Sequence, residues 1–211
     1  MKPFIYSFLF LSLISCQKEA KTEVLTANQS TAKDTISAIP KIPEKRTEKS
    51  LKDKNDEILE ALKTQDFDKF ATFIHPQKGV TFSMYAYIQP KKDKHFTKEE
   101  FLKYAPSNIK FTWGEKDGSG DLLQLSIQNY FAKWVFKKDF TNSEYAFNSF
   151  ARSGNSLNNL KEIYPNTQFT ENYIPGTAEF AEMDWNVLRF VFEEIAGKTY
   201  LVAVINDEWT T

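Results

Sequence analysis

The sequence predicts an α+β fold, with helices packed on one face of an antiparallel sheet. Three observations carry this. Apolar residues just after residue 50 recur at helical spacing. Residues 80–88 alternate with period two. Residues 184–205 read as two long apolar strands around a Gly-Lys turn. The 211 residues suffice for one domain plus a tail, and 19 Phe and 9 Tyr against 7 Gly suit a well-packed, sheet-rich body.

The elements follow in order. Leu51, Ile58, Leu59 and Leu62 form a helical stripe. Asp66 is placed to cap a second short helix, with Phe67, Phe70, Ala71 and Ile74 on one face, ended by His75-Pro76. Val80, Phe82, Met84, Ala86 and Ile88 predict a strand over 80–88, and a lysine-rich loop follows. Thr97 and Glu100 form a capping box for a helix carrying Phe101, Leu102 and Tyr104. Residues 109–113 read as a strand running into the turn Asp117-Gly118-Ser119-Gly120. Ser126 then caps a helix carrying Ile127, Tyr130, Phe131, Trp134 and Val135. Strands are expected over 143–151 and 169–174. Between them, a turn at Gly154-Asn155-Ser156 leads into a polar helix or loop over 157–164. Residues 184–192 and 199–205 complete the chain as an antiparallel hairpin.

The N-terminal end has a different character. A charged start at Lys2 leads into an apolar run, residues 4–14, that is too short to span a bilayer and reads as a signal peptide over residues 1–15. Leu13-Ile14-Ser15-Cys16 resembles the lipobox of bacterial lipoproteins. That resemblance implies cleavage before Cys16, a diacylglycerol on its thiol and further acylation of the new N-terminus. Cys16 is the only cysteine, which excludes an internal disulfide. Two or three acyl chains, at about 0.8 kcal/mol per buried methylene, make such anchoring effectively permanent. Residues 17–50 are rich in Lys, Thr, Glu, Ser and Ala and hold no aromatic residue, so residues 16–50 read as a lipidated flexible tether and 51–211 as the folded domain. Gln17-Lys18-Glu19 resembles the charged signal that sends some Bacteroidota lipoproteins to the cell surface. The expected location is the cell envelope, at the outer membrane, facing either the periplasm or the exterior.

Over residues 50–211 the element order resembles the NTF2-like fold, a cone in which a curved sheet wraps around helices and leaves a cavity. The segments Asp184-Trp185, Leu188-Arg189-Phe190-Val191-Phe192, Tyr200-Leu201-Val202 and Asn206-Asp207-Glu208-Trp209-Thr210 are similar to a recurring ending of uncharacterised bacterial exported proteins. Trp113-Gly114 and Asp117-Gly118-Ser119-Gly120 belong to the same pattern.

Residues able to carry chemistry are few. Glu115 to Leu122 is similar to the start of an EF-hand loop, but its twelfth position is Ser126, which cannot supply the bidentate carboxylate, so the segment reads as a glycine-rich turn. His75 and His95 are the only histidines and have no partner at metal-ligand spacing. No phosphate loop or nucleophile elbow is present, and no metal or cofactor is expected. A net charge of -1 gives no electrostatic footprint for nucleic acid. Arg189 lies mid-strand on the face of Val187 and Val191 and calls for a carboxylate partner, with Asp207 or Asp184 as candidates. It is either one half of a structural ion pair or an anion holder facing a cavity. The four tryptophans, 113, 134, 185 and 209, read mainly as core or sheet-edge packing.

The expected pocket residues are Arg189, Asp207, His75 and Tyr85. The expected function is non-enzymatic binding of a small ligand or an envelope protein by a domain held at the membrane through Cys16. The alternative is a cavity-type hydrolase or isomerase, with Asp207 or His75 as base and Arg189 as anion holder.

Overall fold

The structure, a computed structural model, describes residues 44–151 and 157–210. The expected signal peptide, Cys16 with the expected lipobox, the expected tether as far as residue 43 and the expected Gly154-Asn155-Ser156 turn lie outside the described residues.

Helix α1 (Glu44–Lys63) starts ahead of the expected boundary near residue 50. Its first turns are polar, and pairs four residues apart, Lys49 with Asp53 and Lys52 with Asp56, support an exposed helix there. Further on, the stripe of Leu51, Ile58, Leu59 and Leu62 is buried. Helix α2 (Phe67–Phe73) is capped by Asp66, whose carboxylate accepts from the Lys69 amide. Strand β1 (Val80–Ser83) leads through a long loop to β2 (Lys94–Phe96), and α3 (Lys98–Tyr104) opens with the Thr97–Glu100 capping box. Strands β3 (Phe111–Glu115) and β4 (Leu122–Leu125) form a separate hairpin. Helix α4 (Ile127–Tyr130), capped by Ser126, widens into a π-helical turn over Phe131–Val135, so the expected single helix is two kinds of turn. Strand β5 (Glu144–Phe147), helix α5 (Leu160–Ile163) and strands β6 (Gln168–Ile174), β7 (Asn186–Ile195) and β8 (Lys198–Glu208) complete the fold.

The class is mixed α+β. Six strands form one sheet in the order β2-β1-β8-β7-β6-β5, antiparallel throughout except for the parallel pair β1–β8. The positive φ of Ala196 and Gly197 turns the chain between β7 and β8. Because β1 and β8 are parallel, the loop after β1 and the residues after β8 emerge at the same end of the sheet.

Alternation sorts the side chains onto two faces. Leu188, Phe190, Phe192 and Val204 join the helices in the main core, which is dense in aromatic rings: Phe82 packs against Phe70, Phe101, Phe131, Tyr130 and Trp113. A buried amide cluster ties α1 to β6. Thr170 Oγ1 and Asn172 Nδ2 both donate to Asn55 Oδ1, at 2.8 and 2.9 Å, and Asn55 Nδ2 donates to Asn172 Oδ1 at 3.0 Å. The opposite face holds a smaller core of Ile88, Leu160, Phe169, Val191, Ala203 and Ile205.

The expected strand over 80–88 ends at Ser83. The Ser83 hydroxyl donates to the Tyr85 carbonyl, and both backbone groups of Ile88 bond the Asn159 side chain instead of a neighbouring strand. Met84, Ala86 and Ile88 are nonetheless buried, as their alternation implies. Strand β2 falls in the segment that reads as a lysine-rich loop, and β4 in residues to which the sequence assigns no element.

Candidate functional site

The expected pocket residues fall into three separate places. Arg189, on β7, faces the smaller core. Its Nε donates to Glu171 Oε2 at 2.7 Å, and Nη1 and Nη2 each donate to Asp207 Oδ2 at 3.1 Å. The register explains the triad: Glu171 pairs directly with Arg189 across β6–β7, and Asp207 lies two residues beyond Ile205, the Arg189 neighbour on β8. All three are buried, the Ala151 amide donates to Glu171 Oε1, and the Phe150 ring covers the guanidinium at 5.2 Å. Asp184, the other candidate partner, instead accepts from the Thr177 amide and is paired with Lys138.

His75, at the end of α2, is buried beside Tyr200, and its amide donates to the Leu201 carbonyl. Its Nδ1 accepts from the amides of Gln77 and Lys78, at 3.1 and 2.8 Å. Burial lowers its pKa, so the neutral ring is favoured with its proton on Nε2. Leu201 and Asp207 are six residues apart on β8, about 20 Å along a strand. His75 and Asp207 therefore do not share a site.

Tyr85 lies in neither place. It lines a cleft of about 630 Å³ at the end of the sheet where β1 and β8 finish. The loop after β1 forms one wall, the β3–β4 hairpin the other, and Thr210 closes one side. Gly114 lets the walls approach: it has a φ of +157°, and a Cβ there would lie 2.8 Å from Met84 Sδ. The Glu115–Asp121 segment is the hairpin tip, closed by the Lys116 amide on the Asp121 carbonyl and the Gly120 amide on the Lys116 carbonyl.

Polar groups converge at the base of this cleft. Tyr85 Oη accepts from the Asp117 amide at 2.8 Å, joining the two walls, and its ring packs edge-on against Trp134. The Asp93 carboxylate is fixed by a tight turn: it accepts from the Gln89 amide at 2.7 Å while its own amide donates to the Gln89 carbonyl. The Ser83 hydroxyl, whose single proton goes to the Tyr85 carbonyl, lies beside that carboxylate. Burial raises the pKa of both Asp93 and Tyr85. Beneath them the Tyr130 ring lies flat on Trp113, with centroids 3.6 Å apart and an interplanar angle of 3°. The Tyr130 hydroxyl is fully buried and has no hydrogen-bond partner among the described residues. Its proton is held far more tightly than in free tyrosine, first through burial and then through the nearby charges of Asp93 and Tyr85. An unsatisfied buried hydroxyl costs about 1–3 kcal/mol.

A second recess, of about 330 Å³, lies between Lys137, Lys138, Asp184 and Trp209. Burial and the adjacent Lys138 push the Lys137 ammonium down to about 8, although it is paired with Glu208. Among the described residues no group of three or more His, Cys, Asp or Glu is arranged to hold a metal ion, and no helix is long and apolar enough to cross a membrane.

Sequence reasoning reached Tyr85 but not Asp93, Tyr130 or Glu171. Asp93 is an acid among lysines, and Glu171 sits in a short strand whose register the sequence does not give. Tyr130 carried one signal, a phenol on a helical stripe of Phe and Val, whose hydroxyl needs a partner once buried. No protein-family model matches this chain, and no curated protein matches it closely enough to count as a relative.

Proposed function

We propose that this chain is a lipoprotein of the bacterial outer membrane, anchored through Cys16, whose folded domain binds a small ligand in the Tyr85–Asp93 cleft without transforming it. The observation that carries the binding role is a cleft of about 630 Å³ whose lining brings together Tyr85 and Asp93, each held in place by a backbone amide. Its volume lies within the ordinary range for small-molecule sites, about 300–1,000 Å³. An NTF2-like relation is part of the proposal, supported by helices on one face of a six-stranded sheet and by a cleft at one end of that sheet. Binding is favoured over catalysis by the first-considered bases because Asp207 is engaged by Arg189 and His75 Nδ1 already accepts two amides.

Two measurements test the two halves. Cells expressing the full chain should incorporate labelled palmitate, lose the label in Cys16→Ala and accumulate a larger precursor under globomycin; an unlabelled chain of unchanged size would sink the anchor. Native mass spectrometry of the purified protein should show a small ligand retained by the wild type and lost from Tyr85→Ala. Turnover of that ligand, abolished by Asp93→Asn in a folded protein, would replace binding with catalysis.

A further inference from the structure

We infer that the ligand of the Tyr85–Asp93 cleft is a small organic cation, a primary ammonium on an apolar body, with the Asp93 carboxylate as its counter-ion. The inference rests on the binding role proposed above and names the chemistry it serves. Three features of the cleft lead to it.

The first is the state of the carboxylate. Of the charged side chains that line the cleft among the described residues, Lys92, Glu115, Lys116 and Asp117 are exposed, and Asp93 is the one drawn into the wall. Its carboxylate accepts from the Gln89 amide at 2.7 Å, and the Ser83 proton beside it is spent on the Tyr85 carbonyl. Among the described residues no lysine or arginine forms an ion pair with it. Its burial is therefore offset by neutral groups and by no cation.

The second is what filling the cleft does to that carboxylate. Any occupant takes water away from Asp93. An anion stripped of water is costly unless a positive charge arrives with the occupant. A neutral occupant leaves the carboxylate drier and still unpaired, and an anionic one adds repulsion. An ammonium brings both the charge and the N–H donors that a carboxylate accepts. Lys92 and Lys116 keep their own charge in water, where screening weakens its reach.

The third is the rest of the lining. Tyr85 Oη accepts from the Asp117 amide and keeps a second lone pair for another N–H donor. Tyr87 and Leu122 are about half exposed and line the opening with the buried Met84. Aromatic rings attract cations, and apolar groups around one ionic contact suit a single charge carried on a hydrocarbon body.

Matched probes that differ in the head group alone test this on the full purified protein. They are phenethylamine, 2-phenylethanol and 3-phenylpropionate, with hexylamine, hexanol and hexanoate as the aliphatic set, followed by calorimetry and saturation-transfer NMR. The amine of each set should bind at least tenfold more tightly than its neutral and anionic counterparts. Asp93→Asn keeps an oxygen for the Gln89 amide and removes the charge. It should weaken the amines at least tenfold and leave the alcohols unchanged or tighter. Lys92→Glu, at an exposed position, should tighten the amines at least twofold and serves where Asp93→Asn does not fold. Alcohols or carboxylates that bind as tightly as the amines would overturn the inference. So would amines that bind the folded Asp93→Asn protein as they bind wild type or, where that variant does not fold, amines that Lys92→Glu leaves unchanged. In either case, binding that disappears in Tyr85→Ala would show that the cleft keeps its role with another ligand class. Failure of every probe overturns the inference, and if native mass spectra also show no retained ligand, the cleft's binding role falls with it.

Discussion

Replacing Arg189 with Met should be among the most damaging single changes in the sheet. The guanidinium donates to Glu171 at 2.7 Å and to Asp207 through both terminal nitrogens at 3.1 Å, and none of the three side chains is more than 3% exposed. Met fills much of the same volume, so the cavity is small and the cost is mainly electrostatic. Two buried carboxylates lose the cation that binds both. Breaking a buried ion pair from one side costs about 3–5 kcal/mol. With a urea dependence of about 2 kcal/mol per molar, the unfolding midpoint should fall by about 1.5–2.5 M.

The opposite manipulation sharpens the test. Replacing all three together, Glu171→Leu with Arg189→Met and Asp207→Leu, removes the desolvation of three charges along with their attraction. Stability should return to within about 1–2 kcal/mol of wild type or exceed it. Urea titrations followed by tryptophan fluorescence report both variants. An Arg189→Met midpoint within about 0.3 M of wild type, about 0.6 kcal/mol, would mean the triad contributes no net coupling and would refute the reasoning. A triple variant no better than the single one would point to loss of packing as the cause.

Two further outcomes follow from buried polar groups on the helix side. His75 has its pKa lowered in the fold by burial, so the unfolded chain takes up a proton first as pH falls through the ordinary histidine value of about 6.5. The His75 contribution to stability should therefore be constant above that pH and decline below it, by at most about 1.4 kcal/mol per pH unit, until the folded ring protonates too. His75→Asn should flatten that part of the curve measured by thermal melts, and an unchanged slope would show that other groups set it. Asn55→Ala withdraws the acceptor shared by Thr170 and Asn172 and the donor to Asn172. It should cost about 2–4 kcal/mol in urea unfolding, whereas a change below 1 would mean water replaces the amide without penalty.

Local rules read well where the deciding forces are local. The Asp66 cap, the Thr97–Glu100 capping box and the Ser126 cap each depend on residues three apart, and each forms. The alternation of Leu188, Arg189 and Phe190 shows which face Arg189 takes, and Asp207 was one of two candidate partners. What the sequence lacks is register. Glu171 meets Arg189 only because β6 pairs with β7 in one alignment, and no pattern within residues 168–174 specifies it. The strand expected over 80–88 shows the same limit. Its side chains bury with period two, but its backbone bonds are decided by Asn159, far along the chain.

The cleft was the least legible part for a related reason. It is assembled from a lysine-rich loop and a glycine-rich hairpin, brought together because β1 runs parallel to β8 and both end at the same side of the sheet. Composition alone ranks Asp93 with the solvated acids around it, and Tyr130 with the core aromatics. Their significance appears only in combination: a carboxylate locked by its own turn, a phenol tying two walls together and a second phenol buried with nothing to bond. The fold tolerates that last cost, about 1–3 kcal/mol, because the ring that carries the hydroxyl packs flat on Trp113. A folding role alone would be served as well by Phe at position 130. Tyr130→Phe should therefore raise the melting temperature, and a lower one would mean that the hydroxyl finds a partner, such as a buried water, that holds the fold.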